Sequence, residues 1–132
     1  TIGPESWPSN CCASEFQMNT ALRNAIDEAF FQARTALREK APTEAFPWLE
    51  RAHILSQHMP VLHARSHWLM LRAGWQLRDY REMFGQAPRI IAAVLFSKIW
   101  VPLGNTGRAR ISAFAPMPVS PGLQRLFQGA KQ

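Results

Sequence analysis

All four histidines of the chain lie between residues 50 and 77, at His53, His58, His63 and His67. Imidazole is a common ligand for transition metals, and its pKa leaves it free to coordinate near neutral pH. His63 and His67 stand four residues apart, one helical turn, a spacing that lets two imidazoles share one ion. His53 belongs to the preceding helix, on the flank of its apolar face, from where it could turn toward the pair. Together they would make a three-histidine site with an open fourth position, suited to Zn²⁺, Ni²⁺, Cu²⁺ or Fe²⁺. Met70, one turn beyond His67, would favour the softer copper. Glu50 precedes His53 by the Glu-x-x-His spacing of carboxylate-bridged di-iron bundles. A second such motif is absent, and Glu28 falls on the solvent side of its helix, so a di-iron centre is disfavoured.

The competing reading is structural. His63 and His67 would then be core side chains bonded to backbone, Ser66 or glutamine, with His53 and His58 exposed, since buried polar groups can be satisfied without metal.

Two further groups of residues invite a function. Gly104 and Arg108, in the turn GNTGR, could receive an anion on freed backbone and a guanidinium. The turn lacks the strand, helix and Lys-Ser/Thr of a phosphate-binding loop, and a helix-ending turn is the better reading of it. Arg65, Arg72, Arg78, Arg81 and Arg89 could line a basic face, with residues 114–119 offering apolar side chains to a protein partner. No Ser-His-Asp or Cys-His arrangement is legible and no carboxylate pair is placed inward, so the sequence assigns no catalytic residue.

Four helices must position the histidines. Leu22, Ala25, Ile26, Ala29, Phe30, Ala33 and Leu37 recur at three- and four-residue spacing and predict helix 1 over about 20–40. Asn19 or Thr20 would cap it. Helix 2 follows to about Gln57, with Thr43 as cap and Ala45, Trp48, Leu49, Ala52 and Leu55 inward. Pro60 opens helix 3, which runs to about Arg78 and pairs with helix 2 as an antiparallel hairpin. Only Arg65, Arg72 and Gln76 form a polar strip on it, so helix 3 is expected at the centre, with His63, His67, Met70 and Gly74 buried opposite. Helix 4 spans about 79–100, with a kink or break expected at Gly85 and Pro88. Residues 108–119 read as extended, and Ser120-Pro121 opens a last short helix. The fold class is therefore all-α, four main helices built from antiparallel hairpins with an irregular C-terminal tail.

Composition agrees. The chain has 132 residues and 47% hydrophobic residues, enough for one core and one domain. Residues 1–17 read as a disordered leader, or sequence added upstream, and residues 18–132 as the single helical domain. The vicinal pair Cys11 and Cys12 in that leader cannot form a zinc site alone. No apolar run approaches the ~20 residues of a membrane helix, and the default expectation is a cytoplasmic protein. Charge is lopsided. Residues 1–50 carry four basic and seven acidic side chains, and residues 51–132 carry eleven basic and two acidic. The basic residues are spread out rather than striped, which argues against a nucleic-acid partner and leaves a homodimer or another protein partner.

The segments LERAHILSQ (Leu49–Gln57), RSHWLMLRAGW (Arg65–Trp75) and GNTGRARISAFAPMP (Gly104–Pro118) resemble a small bacterial family of uncharacterised helical proteins. The resemblance spans roughly 18–127 and implies a free-standing domain of this size. It brings no activity, catalytic residue or cofactor with it. The leading expectation is a small transition-metal-binding protein using His53, His63 and His67. The alternative is a non-enzymatic interaction module whose histidines are structural.

Overall fold

The computed structural model describes residues 19–96, 105–112 and 116–129. Among them are five helices and no strand: α1 (Thr20–Arg38), α2 (Pro42–Ser56), α3 (Pro60–Leu77), α4 (Tyr80–Phe96) and α5 (Pro121–Gly129). The leader, its two cysteines and the end of the expected helix 4 lie outside the described residues.

Asn19 caps α1, its Oδ1 accepting from the amide of Ala21 at 3.0 Å. The apolar stripe is the one that the periodicity picks out. Leu22, Ile26, Ala29, Phe30, Ala33, Ala36 and Leu37 are buried. Helix α2 begins at Pro42 rather than being capped by Thr43, because proline at the first position lacks only an N–H that would be unpartnered anyway. α2 and α3 form the expected hairpin, closed by Met59 N–H donating to the Ser56 carbonyl at 2.8 Å. Arg78 ends α3 in the left-handed conformation at φ 55°, and α4 turns back along α3.

The contiguous apolar core is drawn from α1, α2, α3 and α5, through residues such as Phe30, Leu49, Leu55, Met70 and Leu123. No α4 side chain belongs to it. On α4 only Glu82, Gln86 and Ala93 are buried, while Phe84, Ile91, Val94, Leu95 and Phe96 are exposed. Helix α3 lies between α2 and α4 as expected, yet Val61, Trp68 and Trp75 are exposed, so its apolar circumference is only partly covered. The tail closes onto the other side of the bundle. Leu123 is buried there, with Val119, Leu126 and Phe127 packed against the core.

Of the kink or break expected in helix 4, the break is corrected: α4 is one helix over Tyr80–Phe96 with Pro88 inside it. Pro88 removes the partner of the Phe84 carbonyl. Both residues are exposed, so that carbonyl faces water, which can replace the lost bond. Gly85 is not a break either. A side chain there would place its Cβ 2.4 Å from the Cβ of Ala109, so this glycine lets the 105–112 loop lie directly on α4.

Candidate metal centre

His53 sits in the last turn of α2, His63 in the first turn of α3 and His67 one turn later. The short connection at residues 57–59 folds the two helices back so that all three rings meet. They are buried, at 3%, 7% and 3% exposure respectively. His63 Nε2 lies 2.9 Å from His53 Nε2 and 3.2 Å from His67 Nε2. Ring centroids are 4.6 Å apart for His53–His63, 4.6 Å for His53–His67 and 4.9 Å for His63–His67. The ligand nitrogens of the three rings all lie within 4.8 Å of one another, a cluster that could hold a metal ion.

The outer hydrogen bonds decide which nitrogen of each ring carries the proton. His53 Nδ1 is 2.7 Å from the Asn105 carbonyl, which can only accept. His67 Nδ1 is 2.6 Å from Gln86 Oε1. The orientation of that amide follows from its nitrogen, which donates to Glu82 Oε1 at 2.7 Å and to the Gly107 carbonyl at 2.9 Å. His63 bonds the backbone of Gln57, a contact that favours its protonated form and so has the ring donating. Since His63 Nε2 faces the other two rings, that donor is Nδ1. Each ring therefore spends its one N–H on the surrounding protein. That leaves the Nε2 atoms as the unprotonated nitrogens, with His63 Nε2 facing both of the others.

Their titration agrees. Burial, reinforced by the His67 and His63 rings, lowers His53 well below 6.5. Burial and then His58 lower His63 to about 4. Burial and then His63 lower His67 to about 3. All three are neutral at pH 7, the form that binds metal.

Around the histidines lies a polar shell that the sequence reading passes over. Glu82 is fully buried. Its Oε1 accepts from Gln86 Nε2 at 2.7 Å and from the Ala109 N–H at 3.1 Å, and Arg108 Nε stands 3.2 Å from it as an ion pair. Arg89 donates to the carbonyls of Gly107, Arg108 and Ile111 and so ties the loop to α4. Asn105 braces the loop from within. Its side chain accepts from Gly107 N–H and donates to the Ser112 carbonyl.

Of the other residues singled out, His58 is exposed in the α2–α3 turn and apart from the cluster. Arg108 is turned onto Glu50 at 3.1 Å and Glu82, with its guanidinium 3.7 Å from the Phe46 ring centroid; Gly104 lies outside the described residues. Arg65 stacks over Phe30 and Arg89 points inward. Arg72, Arg78 and Arg81 remain exposed. One sequence signal could have found Glu82: it and Asp79 are the only acidic residues after position 50, and both are paired with arginine.

No helix among the described residues is long and apolar enough to cross a membrane. A family described as "Protein of unknown function (DUF3703)" matches residues 20–127, and the chain belongs to it. Neither the curated proteins nor the solved structures contain a match to this chain.

Proposed function

We propose that this member of the family binds one transition-metal ion through Nε2 of His53, His63 and His67, leaving a fourth position for water or an exogenous ligand. The observation that carries the reading is the set of three bare Nε2 lone pairs facing one another. With metal–nitrogen bonds of 2.0–2.1 Å, neighbouring ligands of a tetrahedral ion stand about 3.3 Å apart; His63 Nε2 lies 2.9 and 3.2 Å from its two neighbours, and all three ligand atoms lie within 4.8 Å of one another. Without a cation or a proton between them, those lone pairs repel. Imidazole ligands suit Zn²⁺, Ni²⁺, Cu²⁺ or Fe²⁺. The buried neutral donor set supports retention of an ion and delivers no catalytic acid or base of its own, so a binding role is the better reading than an enzymatic one.

The test is elemental analysis of untagged protein purified without nickel resin, beside H63A/H67A. About one equivalent of metal in the wild type and none in the variant is the expected result. Saturating metal should also raise unfolding free energy by about 3–4 kcal/mol at 100–1,000 times Kd. A protein that takes up no metal, even after incubation with each of the four ions, would make the histidines structural.

A second reading has its own observation, the exposed apolar row on α4. It supports an interaction module, a homodimer through α4, and predicts a solution mass that rises with protein concentration.

A further inference from the structure

The metal reading leaves the most costly side chain of the site unexplained. Glu82 is fully buried, and its Oε2 has no hydrogen-bond partner. A buried carboxylate is expensive unless something positive repays it. Arg108 repays part, through Oε1. Arg108 already has a second carboxylate at Glu50, however, and the chain from Glu82 also runs the other way. Gln86 Nε2 donates to Glu82 Oε1, and Gln86 Oε1 accepts from His67 Nδ1. An amide thus joins the carboxylate to the imidazole in one directed line.

Local charge gives that line a purpose. The three rings supply three lone pairs and no charge. Arg89 and Arg108 are the guanidiniums held by the neighbouring loop and α4, and arginine stays cationic in proteins. Glu82 and Glu50 offset them, Glu50 from the partly exposed rim and Glu82 from the interior. Remove Glu82, and an incoming cation meets a positive surround.

We propose that Gln86 and Glu82 are positioning residues for the metal centre: Gln86 fixes His67 with Nε2 bare, and Glu82 supplies through it the negative charge that lets a divalent cation reside there. This rests on the trihistidine reading. Ligand-orienting partners of this kind are generally worth 10–100-fold in metal affinity.

Charge makes a prediction that loosened packing does not. Coulomb energy scales with the charge of the ion. The free-energy loss for a divalent ion on removing Glu82 is therefore about twice that for a monovalent one, and the fold-loss is its square. The experiment is competition titration of untagged full-length protein with Zn²⁺ and Co²⁺ against a chromophoric chelator. Ag⁺ serves as the monovalent probe. Wild type, E82Q and the exchange E82Q/Q86E are compared.

E82Q is expected to weaken Zn²⁺ and Co²⁺ by about 10–100-fold and Ag⁺ by about 3–10-fold. The exchange, which moves the carboxylate one step closer to His67, should return divalent affinity to within about threefold of wild type. Equal losses for Ag⁺ and Zn²⁺, with no recovery in the exchange, would make Glu82 a purely structural partner of Arg108 and overturn the proposal. So would E82Q binding Zn²⁺ as wild type does, an outcome that leaves the trihistidine site standing. A wild type that binds none of the ions removes the site and the relay together. If E82Q does not fold, the exchange alone carries the test. Divalent affinity within about threefold of wild type supports the relay, and a loss of tenfold or more overturns it.

Discussion

Gly107→Ala tests how tightly the loop is seated on the histidines. Gly107 has φ 81°, a left-handed conformation that costs an L-residue about 1–2 kcal/mol. Alanine also restricts the unfolded chain, which returns about 0.4–1 kcal/mol. Those two contributions leave a net cost of about 0.5–1 kcal/mol, and the new contact adds the larger part. The added Cβ would lie 2.7 Å from His53 Cδ2, 2.8 Å from Nε2 and 2.9 Å from Cγ. An ordinary contact begins near 3.4 Å, so the ring must retreat by roughly half an ångström. Its 2.7 Å bond to the Asn105 carbonyl is what it gives up. Leaving those buried groups unpaired costs about 1–3 kcal/mol. The sum is a destabilisation of about 2–4 kcal/mol, together with a loss of metal affinity of about tenfold or more. Urea unfolding in the presence of a chelator measures the first quantity, and chelator competition the second. Gly122→Ala is the control, because its Cβ would meet nothing nearer than Arg125 at 3.9 Å, and a change within about 0.5 kcal/mol is expected. If G107A unfolds like G122A and holds metal like the wild type, the loop does not press on His53 and the packing argument is wrong.

Acid should weaken the metal-free protein. The folded pKa values of His63 and His67, about 4 and about 3, lie below the unfolded value of 6.5. Between these limits the unfolded chain binds more protons. Stability is fully present above pH 6.5 and falls as pH drops toward 4, by about 3 kcal/mol for one such histidine. A urea midpoint that stays flat from pH 7.5 to pH 5 would contradict this. Asn19→Ala removes the α1 cap far from the site and should cost about 1 kcal/mol in the same unfolding assay with no change in metal affinity. Equal affinity with lower stability is the expected pattern there, and a fall in affinity would argue against a local effect.

The helices and the histidine pair were legible because they rest on periodicity. The stripe of α1, the hairpin at Pro60 and the buried line His63–His67–Met70–Gly74 all follow from turn chemistry and 3.6-residue spacing. His53 was legible only as a flank residue, since helical phase does not say how far a ring on one helix can swing toward its neighbour. The shell around the site was not legible. α4 reads as an apolar helix, yet it turns Glu82, Gln86 and Ala93 inward and leaves Phe84 and Ile91 outside. Hydrophobic patterning assigns such a helix the wrong face, because what holds it is polar contact with a loop distant in sequence. The same distance explains Gly85, which looks like a breaker until Ala109 is seen lying on it.

That inverted helix has a consequence for how the protein breathes. α4 adds no side chain to the contiguous apolar core, and two of its three buried side chains, Glu82 and Gln86, are held by hydrogen bonds and an ion pair, which water replaces at modest cost when they open. Detaching α4 with its loop leaves the core of α1, α2, α3 and α5 together, so this opening exposes less surface than global unfolding, costs less and depends less on denaturant. The remaining helices keep His53, His63 and His67 on their own hairpin while the Gln86 and Gly107 side of the cluster swings clear. Backbone amides of α4 would then exchange with solvent well before those of α1 and α2. The buried cluster becomes reachable through that excursion of a single helix, without the bundle coming apart.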